Sequence, residues 1–170
     1  MGEVRSSRRV VVVCGVSGAG KSHLIRGLCE AGKGCVAVPS VTTRLPRRGE
    51  VDGVDKVFLD DAEFTRRLDG GDLVCAALNY GARYAHDAAL IEGADGVPII
   101  ELEQASAGEF SSVFPAAVFV RVVPIDEGHA LAAVDERPHD GTAVDARKAD
   151  VLENDPAWAT GVSWIEVVND

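Results

Sequence analysis

An α/β domain with a central parallel sheet flanked by helices is what this sequence predicts, from three observations. Apolar, β-branched runs of strand length alternate with segments of helical periodicity. The first run, Arg9–Cys14 (RVVVVC), is continuous rather than alternating, which suits a central strand covered on both faces. A glycine-rich break, Gly15–Gly20, separates that run from the first helical segment. The chain therefore turns at the carboxyl end of a strand, where open α/β sheets place their ligands.

The elements follow in order. Lys21–Ala31 carries Leu24, Ile25 and Leu28 at helical spacing and stops at Gly32, a glycine C-cap signal. Cys35–Val38 reads as a second strand. The stretch from Ser40 to about Asp87 changes character, with a Pro/Arg/Gly-rich loop at Leu45–Gly53 and a short strand at Val57–Leu59. A helix begins at Asp61, capped by Asp60 with Glu63 three residues on, and a strand follows at Leu73–Leu78. Residues 40–87 read as an insert packed on the main sheet. Core character returns with strand Val97–Leu102, helix Gln104–Ser111 and strand Ala116–Val122, ended by Pro124. Helices at Asp126–Glu136 and Val144–Glu153 flank a polar break at Pro138–Thr142, and Trp164–Val168 reads as the last strand. One domain spans 1–170, with a core at 9–39 and 95–170, the insert at 40–87 and a short lid at about 137–147.

Composition narrows the partners. The 17 Lys and Arg are outnumbered by 27 Asp and Glu, a net charge of −10. Such a field repels polyphosphate backbones, which argues against nucleic-acid polymers but leaves room for a small phosphorylated ligand held by a local cationic cluster. The longest apolar runs, Val10–Cys14 and Ala116–Val120, are far too short to span a bilayer. No signal-like stretch follows the polar start, so a cytoplasmic location is expected. Cys14, Cys29, Cys35 and Cys75 form no C-x-x-C pair and read as reduced, mostly buried thiols.

The glycine-rich break carries chemistry. Gly15-Val16-Ser17-Gly18-Ala19-Gly20-Lys21-Ser22 fits G-x-x-x-x-G-K-[ST] at every fixed position, between a strand and a helix. Backbone N–H groups of such a loop wrap phosphates, and the positive end of the helix adds favourable charge. Lys21 is expected to reach the β- and γ-phosphates of ATP, and the Ser22 hydroxyl to meet Mg²⁺. The predicted fold is therefore that of a P-loop NTPase. Glu101 and Glu103, at the end of an apolar strand, are candidates to approach the metal or substrate.

Two guanidinium groups three residues apart, Arg44 and Arg47, can fork around a phosphate dianion. They belong to a longer pattern, Ser40-Val41-Thr42-Thr43-Arg44, Arg47, Gly49-Glu50-Val51-Asp52-Gly53-Val54-Asp55 and Phe58. This pattern resembles the GMP-binding segment of guanylate kinases. The resemblance continues at Tyr84 and, more weakly, at Glu101-Leu102-Glu103, Arg137 and Val168-Asn169-Asp170. It implies that Arg44, Arg47 and Tyr84 hold an acceptor monophosphate, that Ser40 lies beside the base, and that Asn169 lies near the adenine of ATP. It also implies that Arg137 and Arg147 act from the lid on the transferring phosphoryl group.

The chain departs from that family at informative positions. Lys56 stands where relatives carry a tyrosine, as a flexible point charge able to reach the acceptor. Cys75 stands in place of a glutamate that reads the guanine edge, Glu103 in place of an aspartate, and Ala85-His86 in place of Gly-Thr. His86 reads as a surface histidine. The resemblance thus implies an ATP- and Mg²⁺-dependent phosphotransferase acting on a small monophosphate, with a GMP-like nucleotide first. A phosphorylated sugar, an unusual biosynthetic nucleotide, or a non-catalytic binding module are the alternatives. The sequence leaves the oligomeric state open.

Overall fold

The computed structural model describes residues 7–32, 34–135, 143–152 and 162–169. Strand β1 (Val11–Cys14) is the centre of a five-stranded parallel sheet. Helix α1 (Lys21–Glu30) follows it and leads to β2 (Cys35–Ala37). Later in the chain come β7 (Val97–Glu101), a 3₁₀ turn (Gln104–Ser106), α4 (Ala107–Val113), β8 (Val118–Pro124), α5 (Glu127–Asp135), α6 (Ala143–Leu152) and β9 (Trp164–Asn169). Neighbours in the sheet run β2-β7-β1-β8-β9.

The unbroken apolar run of β1 is explained by its cover. Val12 and Cys14 enter a core with Ile100, Phe110, Phe114 and Phe119 on one side. Val13 faces the opposite way, into a second core with Ile99, Val122, Ala130 and Val134. Alternating side chains of one strand thus fill two layers, so no position tolerates a polar residue. Pro124 is the last residue of β8, not a breaker after it.

Residues 40–87 build a second sheet, ordered β4-β3-β6-β5. Its strands are β3 (Val41–Thr42), β4 (Val57–Phe58), β5 (Leu73–Asn79) and β6 (Ala82–Asp87), with α2 (Asp61–Asp69) packed against it and α3 (Ala88–Gly93) leading back to the core. Val41, Phe64, Leu73 and Ala85 form its own small core. Val74 and Cys75 reach instead into the Phe110 layer of the main core. The expected cap on α2 is present, with Asp60 accepting from the Glu63 N–H at 2.8 Å.

Two features of this lobe are absent from the sequence reading. β5 and β6 join through a two-residue turn in which Tyr80 (φ 50) and Gly81 (φ 78) are both left-handed, as a hairpin with right-twisted strands requires. Within β5 the register with β6 shifts between Val74 and Ala77, and Cys75 sits at that bulge with φ 53. A non-glycine residue rarely holds that conformation.

Candidate active site

β1 delivers the chain to the glycine loop. Gly18 and Gly20 have φ of 83 and 90, and both lack room for a side chain. A Cβ on Gly18 would lie 2.3 Å from the Ala130 carbonyl oxygen, and one on Gly20 2.4 Å from Asn169 Nδ2. Asn169 thus packs directly on the loop. Ala19 donates its N–H to the Val16 carbonyl at 3.3 Å, closing the turn. The first turn of α1 carries no acidic side chain, so the helix presents its N–H groups and positive dipole end to the loop.

Lys21 Nζ donates to the carbonyls of Gly15 (2.8 Å) and Val16 (2.9 Å) and lies 3.5 Å from Glu101. Ser22 Oγ stands 3.5 Å from the other oxygen of the same carboxylate. Parallel pairing of β1 with β7 sets Val13 opposite Glu101, which brings the acid beside the loop. Glu103, favoured for contact with metal-bound water or substrate, lies beyond the end of the strand and also lines the cavity. It accepts from Asn79 Nδ2 at 2.5 Å, and burial raises its carboxyl above the ordinary range.

Another carboxylate occupies the loop itself. Asp150 Oδ2, on α6, accepts the Ser17 N–H at 2.7 Å and lies 3.3 Å from the Tyr80 hydroxyl. Arg147, one helical turn earlier, is 4% exposed and stacks over the Tyr80 ring at 5.3 Å. Sequence reasoning missed Asp150 and Tyr80; the i, i+3 spacing of Arg147 and Asp150 was the only local sign that they share a face. Arg137 and the Pro138–Thr142 break lie outside the described residues.

The acceptor lobe is built around Arg44. Both terminal nitrogens of its guanidinium donate to Glu50 at 2.6 Å, and Glu50 also accepts the Arg47 N–H at 2.7 Å. The pair raises the Arg44 pKa and lowers that of Glu50, each chiefly through the shared side-chain hydrogen bonds. The fork expected to embrace phosphate is therefore already presented to a carboxylate. Arg44 Nε remains buried without a hydrogen-bond partner among the described residues. Tyr84, paired across the sheet with Thr42, is close enough to act on Arg44. Lys56 Nζ donates to Ser40 Oγ at 2.8 Å, and burial lowers its pKa.

His86 overturns the expectation of a surface residue. It is 5% exposed, edge-on to Phe110 at 6.3 Å, and its Nδ1 has no hydrogen-bond partner among the described residues. Burial, aided by the charge of Lys56, lowers its pKa to about 4, so the imidazole is neutral at physiological pH. Cys75 is also buried, which raises its thiol pKa and keeps it protonated.

One cavity of about 480 Å³ joins these parts. At the loop end it is lined by Gly15, Ser17, Lys21, Ser22, Glu101 and Arg147. At the other end Ser40, Arg44, Arg47, Lys56, Cys75 and Tyr84 contribute, with His86 beside them and Glu103 between the two ends. The glycine-rich loop and the cluster of cationic side chains thus open on one space. No helix among the described residues is long and apolar enough to cross a membrane.

Comparison with known proteins agrees with this geometry. The family model for guanylate kinase matches residues 7–96, from β1 through the whole acceptor lobe. A guanylate kinase of Methylobacillus flagellatus is 29% identical over 164 residues, covering 94% of this chain and 80% of that protein. One from Mycobacterium bovis is 37% identical over 128 residues, 72% of this chain and 62% of the relative's length. The solved guanylate kinase of Anaplasma phagocytophilum, 19% identical, superposes on 99% of the chain and 80% of its own with a TM-score of 0.67, which shows the shared fold. Since the family match takes in more than half of the sequence and includes both ends of the cavity, this chain belongs to the guanylate kinase family, whose members are ATP-dependent nucleoside monophosphate kinases.

Proposed function

We propose that the protein moves the γ-phosphoryl group of Mg·ATP onto the phosphate of a nucleoside monophosphate, GMP being the first acceptor to test. The observation that carries this reading is the single cavity with a phosphate loop at one end and the Arg44–Tyr84 pocket at the other. In the transfer, an acceptor phosphate oxygen forms a bond to the γ-phosphorus as the bond to the β–γ bridging oxygen breaks. ADP leaves, and the acceptor becomes a diphosphate. Such a transfer needs positioning and charge neutralisation more than covalent help.

The residues divide the work. N–H groups of Gly15–Ser22 cradle the triphosphate, and Lys21, released from the Gly15 and Val16 carbonyls, reaches the β- and γ-oxygens. Ser22 Oγ and the Glu101 carboxylate are hard oxygen donors only 3.5 Å apart, a pairing that suits Mg²⁺. Held by Ser22 and Glu101, Mg²⁺ would supply charge neutralisation for the phosphates. Arg147 meets the transferring group from α6, and Asn169 supports the loop on the adenine side. Arg44 Nε–H, Arg47, Tyr84 and Lys56 hold the acceptor phosphate, and Glu50 fixes the plane of Arg44. Both charged phosphates are thereby held apart from bulk water, which suppresses wasteful hydrolysis.

The test is ADP release from Mg·ATP against a panel of monophosphates, with Lys21→Ala as the control. Stimulation by a nucleoside monophosphate, lost in Lys21→Ala, is the expected result. Tight ATP binding with no stimulation by any acceptor would defeat the proposal.

A further inference from the structure

The acceptor end of the cavity contains a buried polar atom that nothing in the lobe satisfies. His86 follows Tyr84 by two residues on β6, so both side chains stand on the same face of the sheet, roughly 7 Å apart along the strand. Tyr84 belongs to the phosphate end with Arg44. His86 is one step deeper, against Phe110. A buried imidazole nitrogen without a partner is destabilising, so it persists where a ligand completes it.

Five of the six carboxylates that line the cavity are committed elsewhere, Glu30 being the sixth. Glu50 holds Arg44 and the Arg47 N–H, Glu101 lies on Lys21 and Ser22, and Glu103 accepts from Asn79. Asp55 accepts the Val51 N–H, and Asp150 the Ser17 N–H. Around His86 the lobe offers mainly donors: the Lys56 ammonium bonded to Ser40, the free proton of the Ser40 hydroxyl, and the Cys75 thiol. Cys75, at the β5 bulge, packs in the Phe110 core and also lines the cavity. A protonated thiol is a weak acceptor and cannot satisfy an amino group.

Resting on the function proposed above, we infer that one imidazole nitrogen of His86 accepts the N1–H of the acceptor base, that the Ser40 hydroxyl donates to its keto oxygen, and that the 2-amino group goes unread. The substrate class is then 6-oxopurine nucleoside monophosphates, hypoxanthine alongside guanine. A neutral imidazole has one acceptor nitrogen and can take a single N–H. Guanine brings N1–H and the 2-amino group, hypoxanthine only N1–H. Sites that pair a substrate donor reject the analogue lacking it by factors of up to about 10⁴–10⁵, whereas a group no protein atom pairs discriminates far less.

The experiment compares kcat/KM for GMP and IMP with the full chain and saturating Mg·ATP. The expected ratio lies within about tenfold. Cys75→Glu, which places a charged acceptor beside the base, is expected to favour GMP over IMP by a further 10- to 100-fold, roughly the worth of one hydrogen bond to a charged group. His86→Ala should raise KM for both nucleotides at least roughly tenfold while the ATP Kd stays put, with partial rescue by His86→Asn. In the wild-type protein, the ¹⁵N resonances of the His86 imidazole should move when GMP or IMP is added without ATP, a readout independent of turnover and of variant folding. Rejection of IMP by a hundredfold or more, or imidazole resonances unmoved by a bound nucleotide, overturns the inference and leaves the kinase reading intact. If neither nucleotide binds nor stimulates ADP release while another monophosphate does, this inference falls and the kinase reading stands; if no monophosphate stimulates it, both fall.

Discussion

Replacing Asp150 with asparagine should tighten ATP binding while lowering the stability of the free protein. Asp150 Oδ2 sits on the Ser17 N–H at 2.7 Å, inside the loop that a triphosphate must enter. Phosphate oxygens and this carboxylate compete for one donor, so ATP binding includes the work of displacing Asp150. A hydrogen bond to a charged acceptor contributes about 1.5–3 kcal/mol, and a neutral one about 0.5–1.5. The amide side chain would keep the shape and lose the charge, easing displacement by about 1.4 kcal/mol, or roughly tenfold in affinity. Removing like-charge repulsion toward the incoming phosphates acts in the same direction. The free protein loses the same difference, so its melting temperature should drop by about 3–6 °C. Calorimetric titration with ATP and a thermal melt without it give the two numbers. Their opposite signs are the diagnostic. An Asp150→Asn protein that binds ATP no more tightly than wild type refutes the competition.

Lys21→Ala should lower kcat by about 10²–10³ with only a modest change in acceptor KM, because the ammonium acts on charge developing at the triphosphate. Steady-state ADP release checks it, and near-normal kcat would remove Lys21 from the mechanism. Gly18→Ala should destabilise the fold by about 2–4 kcal/mol in urea unfolding, since its Cβ would lie 2.3 Å from the Ala130 carbonyl at a φ of 83. His86 makes stability depend on pH. Its folded pKa of about 4 lies below the reference 6.5. The unfolded chain therefore takes up a proton first as pH falls, and the stability present above pH 6.5 is lost progressively toward pH 4. The gap corresponds to at most about 3 kcal/mol. Urea midpoints at several pH values, compared with His86→Asn, isolate the effect from carboxylates such as Glu101; equal slopes in both proteins would contradict it.

What the sequence revealed follows from how local each signal is. The phosphate loop is written in the backbone, because Gly18 and Gly20 are required by left-handed φ and lack of space, and the strand and helix on either side adjoin it. The Asp60 cap is equally local. β3 is only two residues long, and the β5–β6 turn places a tyrosine in the left-handed region, so neither announces itself by composition. The burial of His86 depends on Phe110, which lies far along the chain in α4, and a histidine in a strand already rich in polar residues gives no hint of it. Asp150 meets Ser17 across 133 residues. Only folding makes that contact. Register with β1, not proximity to the strand end, decides which acid lies beside Ser22, and that acid is Glu101.

The acids of the cavity explain how a chain of net charge −10 keeps a phosphate site without substrate. Cations gathered for phosphates would repel one another in a partly buried space, and the same field would weaken the fold. Carboxylates meet them instead: Arg44 is held by Glu50 and Lys21 by Glu101, while Asp150 takes the loop N–H. These partners are not equivalent. Glu50 lies six residues from Arg44 on the same loop and also binds the Arg47 N–H, so it travels with the group it orients. Asp150 comes from a different element, α6, and has no covalent reason to stay when phosphate arrives. Glu50→Gln should therefore loosen Arg44 and raise acceptor KM, whereas Asp150→Asn should relieve competition and favour ATP. Partners of the first kind organise the site, and partners of the second kind hold its place.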